Sequence, residues 1–241
     1  MKSLENLKSI LSEKYVTEDE DSYKVKLMPG LSDEELISFS SRLPLEKIPE
    51  EIKELLKFSR GFEFLPLQEI TFDAIGQFGM ENIFPHSVQL TGDGFGNFWI
   101  LDISSQGDWG AVFYVCHDPA VIIKQAHDLG EFIRQIDDFG KKGKDSYIDI
   151  VHEKTTKDVW NNSKFISIED AQKSANETVR NFSFNLPKSF FIADISDDFN
   201  RVGFAWGKFG PDIDNAVRYK DAHIWAFNQK TKKSFLSRIF G

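Results

Sequence analysis

A single cysteine, Cys116, stands in 241 residues. That count excludes an internal disulfide and the small stapled scaffolds of secreted proteins, so a reducing cytoplasmic setting is expected. No cysteine pair exists to join His86, His117, His127, His152 or His223 in a zinc site, and none of these histidines lies in an H-E-x-x-H pattern. Gly-x-Ser-x-Gly does not occur, which removes the nucleophile-elbow hydrolases. No apolar run approaches the ~20 residues that span a bilayer, so no membrane partner is expected. At the amino terminus, Met1-Lys2-Ser3-Leu4-Glu5-Asn6-Leu7-Lys8 places a charge every few residues, which argues against a secretory signal. On that expectation, the Asn-x-Ser/Thr triplets beginning at Asn161, Asn176 and Asn181 are chance matches.

What is abundant is aromatic surface and acid. Hydrophobic residues make up 41% of the chain and 23 phenylalanines supply large buried areas, which excludes a mostly disordered chain. Residues 1–150 hold 15 Lys and Arg against 27 Asp and Glu, a net of −12, while the remainder holds 14 against 11, a net of +3. The acidic part repels a phosphate backbone, so no nucleic acid partner is expected, and it attracts a basic macromolecule.

Along the chain, Leu4, Leu7, Ile10 and Leu11 recur at helical spacing with Ser3 at the start. After the acidic run Glu18-Asp19-Glu20-Asp21 comes an alternating stretch, Tyr23 to Leu27. Ser32 and Glu35 have the capping-box spacing for a helix over about 32–42. Pro49 opens a third helix, whose apolar face is Ile52, Leu55, Leu56 and Phe58 and which Gly61 ends. From Phe62 to Val115, short strands separated by turns read as an antiparallel meander. Leu129, Phe132, Ile133 and Ile136 mark a helix at about 128–137, and Lys141-Lys142-Gly143-Lys144 reads as a linker. Beyond it, Ser167 caps a helix over Ile168 to Val179, and strands are expected near Phe190–Ile195, Val202–Trp206 and Ala222–Phe227. The expected fold is α+β, with helices packed on a mainly antiparallel sheet and a smaller α+β extension. The division is 1–145 for a binding domain and 146–241 for the extension.

The order of these pieces resembles the SUKH superfamily. Met28-Pro29-Gly30-Leu31-Ser32-Asp33-Glu34-Glu35-Leu36 looks like a helix entry of that superfamily. Ile48 to Gly61 is similar to the next, with Ser59-Arg60 where the family carries an asparagine. Thr91-Gly92-Asp93-Gly94-Phe95-Gly96-Asn97-Phe98-Trp99-Ile100-Leu101-Asp102 follows the glycine-rich turn and strand, and Val112 to Asp118 the strand ending in His-Asp. Leu129 to Ile136 matches the closing helix. The likeness covers roughly residues 28–140. It implies an α+β fold and a binding role: bacterial members often neutralise toxins, commonly nucleases, and a yeast relative is a regulatory scaffold. It implies no catalytic residues, and no cofactor is expected.

Several chemical readings compete with simpler ones. Gly92-Asp93-Gly94-Phe95-Gly96 opens a strand and carries Asp93 without a lysine, so a structural turn is favoured over a phosphate loop. Calcium at Asp93 and Asn97 lacks the spaced oxygen ligands and terminal Glu. Cys116, His117 and Asp118 adjoin on a strand and alternate between faces, which favours a core thiol and a turn-capping histidine over acid/base pairs. Trp99, Trp109, Phe113 and Tyr114 read as core first and interaction surface second. A metal cluster from Asp194, Asp197, Asp198, Asp212 and Asp214 competes with solvated loops.

The expected function is therefore a cytoplasmic, non-enzymatic immunity protein that occludes a basic toxin domain, a nuclease by the resemblance. Candidate contacts are Asp73, Glu81, Asp93, Asp108 and Trp109, in or beside loops. The alternatives are a regulatory scaffold and an enzyme with its site in the extension, the latter requiring converging carboxylates and a metal.

Overall fold

Along the strand Phe98–Ile103, Trp99 and Leu101 enter one hydrophobic core and Ile100 enters another. A strand apolar on both faces has to be covered on both. That requirement organises the molecule, which a computed structural model describes for residues 3–17, 20–76, 78–196, 202–210 and 216–228.

The chain opens with helix α1 (Ser3–Ile10) and short strands β1 (Tyr15–Val16), β2 (Ser22–Tyr23) and β3 (Lys26–Leu27). Helices α2 (Asp33–Ser40) and α3 (Glu50–Phe58) lead to β4 (Gly61–Phe64) and β5 (Gln68–Thr71). Then come β6 (Ser87–Gly92), β7 (Phe98–Ile103), β8 (Trp109–His117) and β9 (Ala120–Ala126). Helices α4 (Leu129–Lys142), α5 (Tyr147–Ile150) and α6 (Thr156–Asn162) follow, with a π turn, Val151–Thr155, between the last two. The tail holds β10 (Ile166–Ser167), α7 (Ile168–Ala171), α8 (Glu177–Ser183), β11 (Phe190–Asp194), β12 (Gly203–Phe204), β13 (Val217–Arg218) and β14 (Ile224–Asn228).

The fold is α+β. Strands β6 to β9 form an antiparallel meander, and β12 joins the outer edge of β9 through Gly203 opposite Ile123. One face sends Val88, Leu90, Trp99, Tyr114 and Ile123 into a core shared with α1, α3 and α4. The opposite face sends Ile100, Phe113, Val115 and Ile122 against a second sheet of order β10-β11-β14-β13. On β14 the alternation is clean: Trp225 and Phe227 face the meander, while Ile224 and Ala226 face a third core capped by α7 and α8. The layers run helices, meander, tail sheet, helices.

Local chemistry explains the boundaries. Ser32 Oγ accepts from the Glu35 amide at 3.2 Å and Glu35 Oε2 accepts from the Ser32 amide at 2.8 Å, so the expected capping box starts α2. Asp128 caps α4 by accepting from the Glu131 amide at 2.7 Å.

Some sequence expectations change. Lys141 and Lys142 are the last turn of α4 rather than a linker, each ion-paired one turn back to Asp137 and Asp138. The single helix over Ile168–Val179 is two, because the Asn176 side chain accepts from the Thr178 and Val179 amides and starts α8 afresh. Gly61 begins β4 instead of ending α3; a Cβ there would collide with the Ile70 carbonyl of β5. Phe58 is on the surface, with the Lys8 ammonium 5.2 Å from its ring centroid. Strand β9 has no counterpart in the expectations: Val121 to Ala126 is buried throughout, so no alternation announces it. The strands read near residues 62–64 and 70–72 pair with each other and with β3 in a separate three-stranded sheet. Among the described residues no helix is long and apolar enough to cross a membrane.

Candidate partner-binding site

The connection between β6 and β7 is the glycine-rich turn, and Asp93 holds it closed. Asp93 Oδ1 accepts from the Phe95 amide at 2.8 Å and the Asn97 amide at 3.1 Å, and Oδ2 accepts from Asn97 Nδ2 at 2.6 Å. Gly94 and Gly96 have φ of 79° and 91°, values that favour glycine. Between them Phe95 is carried outward and left 78% exposed. Buried Asn97 ties the turn to the end of β8, its Oδ1 accepting from the His117 amide at 3.0 Å. From β8, Tyr114 donates its hydroxyl to Asp93 Oδ2 at 3.3 Å, and burial first, then neighbouring Cys116 and Asp93, push the phenol pKa far upward.

Burial opposes ionisation of Asp93, but hydrogen bonds from the Asn97 side chain and the Phe95 and Asn97 amides, with nearby His152, outweigh it. The carboxyl is held below its ordinary 3.8. Because the folded value lies below the unfolded one, its stabilising contribution is complete above about pH 4 and fades as pH falls through the folded value. Asp93→Asn is expected to cost about 1–3 kcal/mol near neutrality. The gap to the native protein should narrow under acid. Urea unfolding at about pH 7 and about pH 3 measures both.

The facing wall comes from α5 and the π turn. Ser146 caps α5 by accepting from the Asp149 amide at 3.2 Å. The π turn, wider than an α turn by one residue, carries His152, whose Nε2 is 3.3 Å from Asp93 Oδ2 and whose Nδ1 is 2.9 Å from Glu153 Oε1. Between the walls lies a cleft of ≈ 210 Å³ with an apolar floor of Leu67, Trp99, Phe139 and Ile148. Asp93, Asp149 and Glu153 ring it, and Phe95 stands at its lip. Burial, then the neighbouring Glu153 charge, raise the Asp149 pKa. An apolar floor with a carboxylate rim suits a side chain with an aliphatic stem and a cationic head.

The other sequence candidates do not converge here. Asp73 is nearly covered and ion-paired to Arg60 at 2.9 Å, and its burial outweighs that pairing to raise its pKa. Glu81 is exposed and accepts from the Phe78 and Gly79 amides. Asp108 pairs with Lys47 at 2.7 Å in the β7–β8 turn, at the far end of β7 from Asp93, about 20 Å away by strand rise. Trp109 is 7% exposed, its ring edge-on to Phe39. Trp99, Phe113 and Tyr114 are buried as well, the core placement read first for all four. Cys116 is buried with its pKa raised by that burial, and His117 points the opposite way.

Sequence reasoning missed His152, Asp149 and Glu153, which lie far from the turn in sequence. It also missed a buried pair between the layers. Arg218 donates to both Asp102 oxygens at 2.6 Å, and the two side chains are 5% and 6% exposed. His223 Nε2 lies 3.4 Å from the same carboxylate. Among the described residues no three His, Cys, Asp or Glu side chains are arranged to hold a metal. Of the tail aspartates, Asp197, Asp198, Asp212 and Asp214 lie outside the described residues.

Comparison with known proteins finds one likeness, to a family model. Residues 30–135 match the SMI1 / KNR4 family (SUKH-1), a span that starts just before α2, holds the glycine turn and meander, and ends within α4. No curated protein and no solved structure matches the chain. Across residues 30–135, under half of its length, this chain is similar to the SUKH-1 family.

Proposed function

We propose that the protein is an immunity protein: a non-catalytic cytoplasmic module that neutralises a basic toxin domain, a nuclease as the first candidate, by stoichiometric occlusion. One observation carries this reading, the SUKH segment lying within the part of the chain that holds the net charge of −12. Carboxylates on that body steer a cationic partner, and exposed Phe95 on its braced turn supplies apolar contact once it arrives. Rigid presentation matters because a side chain already held in place loses little entropy on binding.

The test uses a toxin domain encoded beside this gene. Cells making that domain should survive only when this chain is co-expressed, and the purified pair should form a complex of fixed stoichiometry. Its association rate should fall steeply as salt is raised from about 0.01 M to about 1 M, where the Debye length shrinks from ~30 Å to ~3 Å. Survival that does not depend on this chain, with no complex formed, removes the immunity reading and favours a regulatory scaffold.

A further inference from the structure

The cleft beside the glycine turn is too small for a helix or strand. At ≈ 210 Å³ it is below the ~300–1,000 Å³ of pockets that enclose a drug-sized ligand, and it admits one long side chain. Its chemistry is graded from inside to outside. Buried Leu67, Trp99 and Ile148 form an apolar floor that suits methylenes, and the carboxylates sit at the rim where a charged head would rest.

The rim carboxylates differ in how they are partnered. Asp93 is saturated by the turn, and Glu153 shares His152 and lies 3.9 Å from Lys157. Among the described residues no hydrogen bond or ion pair reaches the Asp149 carboxylate. Burial and the Glu153 charge disfavour the ionised Asp149 more than the nearby His152 and Lys144 charges favour it, so a further cation at the rim is stabilising. Phe95, 78% exposed at the lip, offers a ring face to whatever carries that cation.

We propose that this cleft receives an arginine side chain from a loop of the partner protein, its stem on the Leu67–Ile148 floor and its guanidinium between Asp149 and Glu153. A planar guanidinium reaches two carboxylates at once and packs on an aromatic face, which a lysine ammonium does less well. The inference rests on the protein-binding reading above and names the group that the site selects.

The experiment titrates the full chain with N-acetyl-arginine amide, followed by nuclear magnetic resonance, with the citrulline analogue as a neutral isostere. Capped arginine is expected to shift the resonances of Phe95, His152 and Asp149 saturably, and citrulline is expected to leave them in place. Asp149→Asn combined with Glu153→Gln should weaken arginine binding at least about tenfold. Neutralising Asp149 removes a half-covered carboxylate whose ionised form is disfavoured by burial and by Glu153, so the variant is expected to fold; unshifted resonances in β7 and β8 confirm it. Should the double variant misfold, Asp149→Asn alone carries the comparison. Equal shifts from citrulline, shifts confined to another surface, or undiminished binding by the variant would each overturn the inference. A toxin domain that binds the native chain and the variant equally well also overturns it while leaving the immunity reading intact. Arginine binding in the cleft with no toxin bound leaves the cleft assignment standing and removes immunity instead.

Discussion

Replacing Arg218 with alanine is expected to lower stability by about 3–5 kcal/mol, because it strands a buried carboxylate. Asp102, near the end of β7, takes both guanidinium nitrogens at 2.6 Å, and only about a twentieth of either side chain meets solvent. Arg218 also donates to the carbonyls of Asp221 and Ala222, and its Cζ lies 5.4 Å from the Trp225 ring centroid and 5.9 Å from that of Phe84. Removing the guanidinium therefore costs packing as well as charge. The pair itself is a poor net stabiliser, since desolvating two ions offsets most of their attraction. Its value lies in register: it fixes β13 of the tail against β7 of the meander. Arg218→Met with Asp102→Leu is accordingly expected to recover most of the loss. Urea unfolding of the two single variants and the double variant measures the coupling. A double variant no more stable than Arg218→Ala would show that the pair contributes more than geometry.

Trp225→Ala is expected to cost about 3–5 kcal/mol, the range for deleting a large aromatic from a core. Trp225 is fully buried on β14 where the tail sheet meets the meander. Its ring packs 5.7 Å from Phe84, 6.2 Å from Phe113 and 5.1 Å from Phe204, centroid to centroid. Its indole nitrogen donates to the Ile83 carbonyl at 2.8 Å. Alanine leaves a cavity that rigid neighbours cannot close and an acceptor without its donor. Thermal and urea unfolding should show one destabilised transition, because the second core joins both sheets. Retained native stability would mean that the interface between the sheets repacks. Losses at Arg218 and Trp225 should not add, since the two side chains touch.

Parts of the fold and site are legible in the amino-acid sequence. The Ser32–Glu35 capping box, the buried faces Ile52, Leu55 and Leu56 of α3 and Leu129, Phe132, Ile133 and Ile136 of α4, and the turn chemistry of Gly92 to Asn97 follow from short-range signals, whereas Phe58, on the same apolar pattern, lies at the surface. The family resemblance rested on the same local strings, and the matched span 30–135 falls within the region they cover. Strand β9 escaped because burial on both faces erases the period-two pattern. Periodicity after Ile168 suggests one helix where there are two, because it registers apolar faces more strongly than an interrupting cap such as Asn176.

The candidate site divides in the same way. Asp93 was legible as a turn carboxylate, and its hydrogen bonds span four residues. Its neighbours His152, Asp149 and Glu153 arrive from beyond α4, and nothing near Gly92 announces them. Asp108 and Trp109 were adjacent loop candidates, yet one is exposed and the other enclosed beside Phe39. Loop position does not settle which way a side chain turns.

Amino-acid order alone determined the local elements, their caps, the acidic body and the SUKH pattern, because those follow from residues within a few positions of one another. Tertiary structure decided that the tail covers the second face of the meander, that Arg218 meets Asp102 across 116 residues, and that a carboxylate-rimmed cleft opens beside Phe95. Such contacts join segments with no shared periodicity, and they exist only once burial of both sheet faces has drawn distant stretches of chain together.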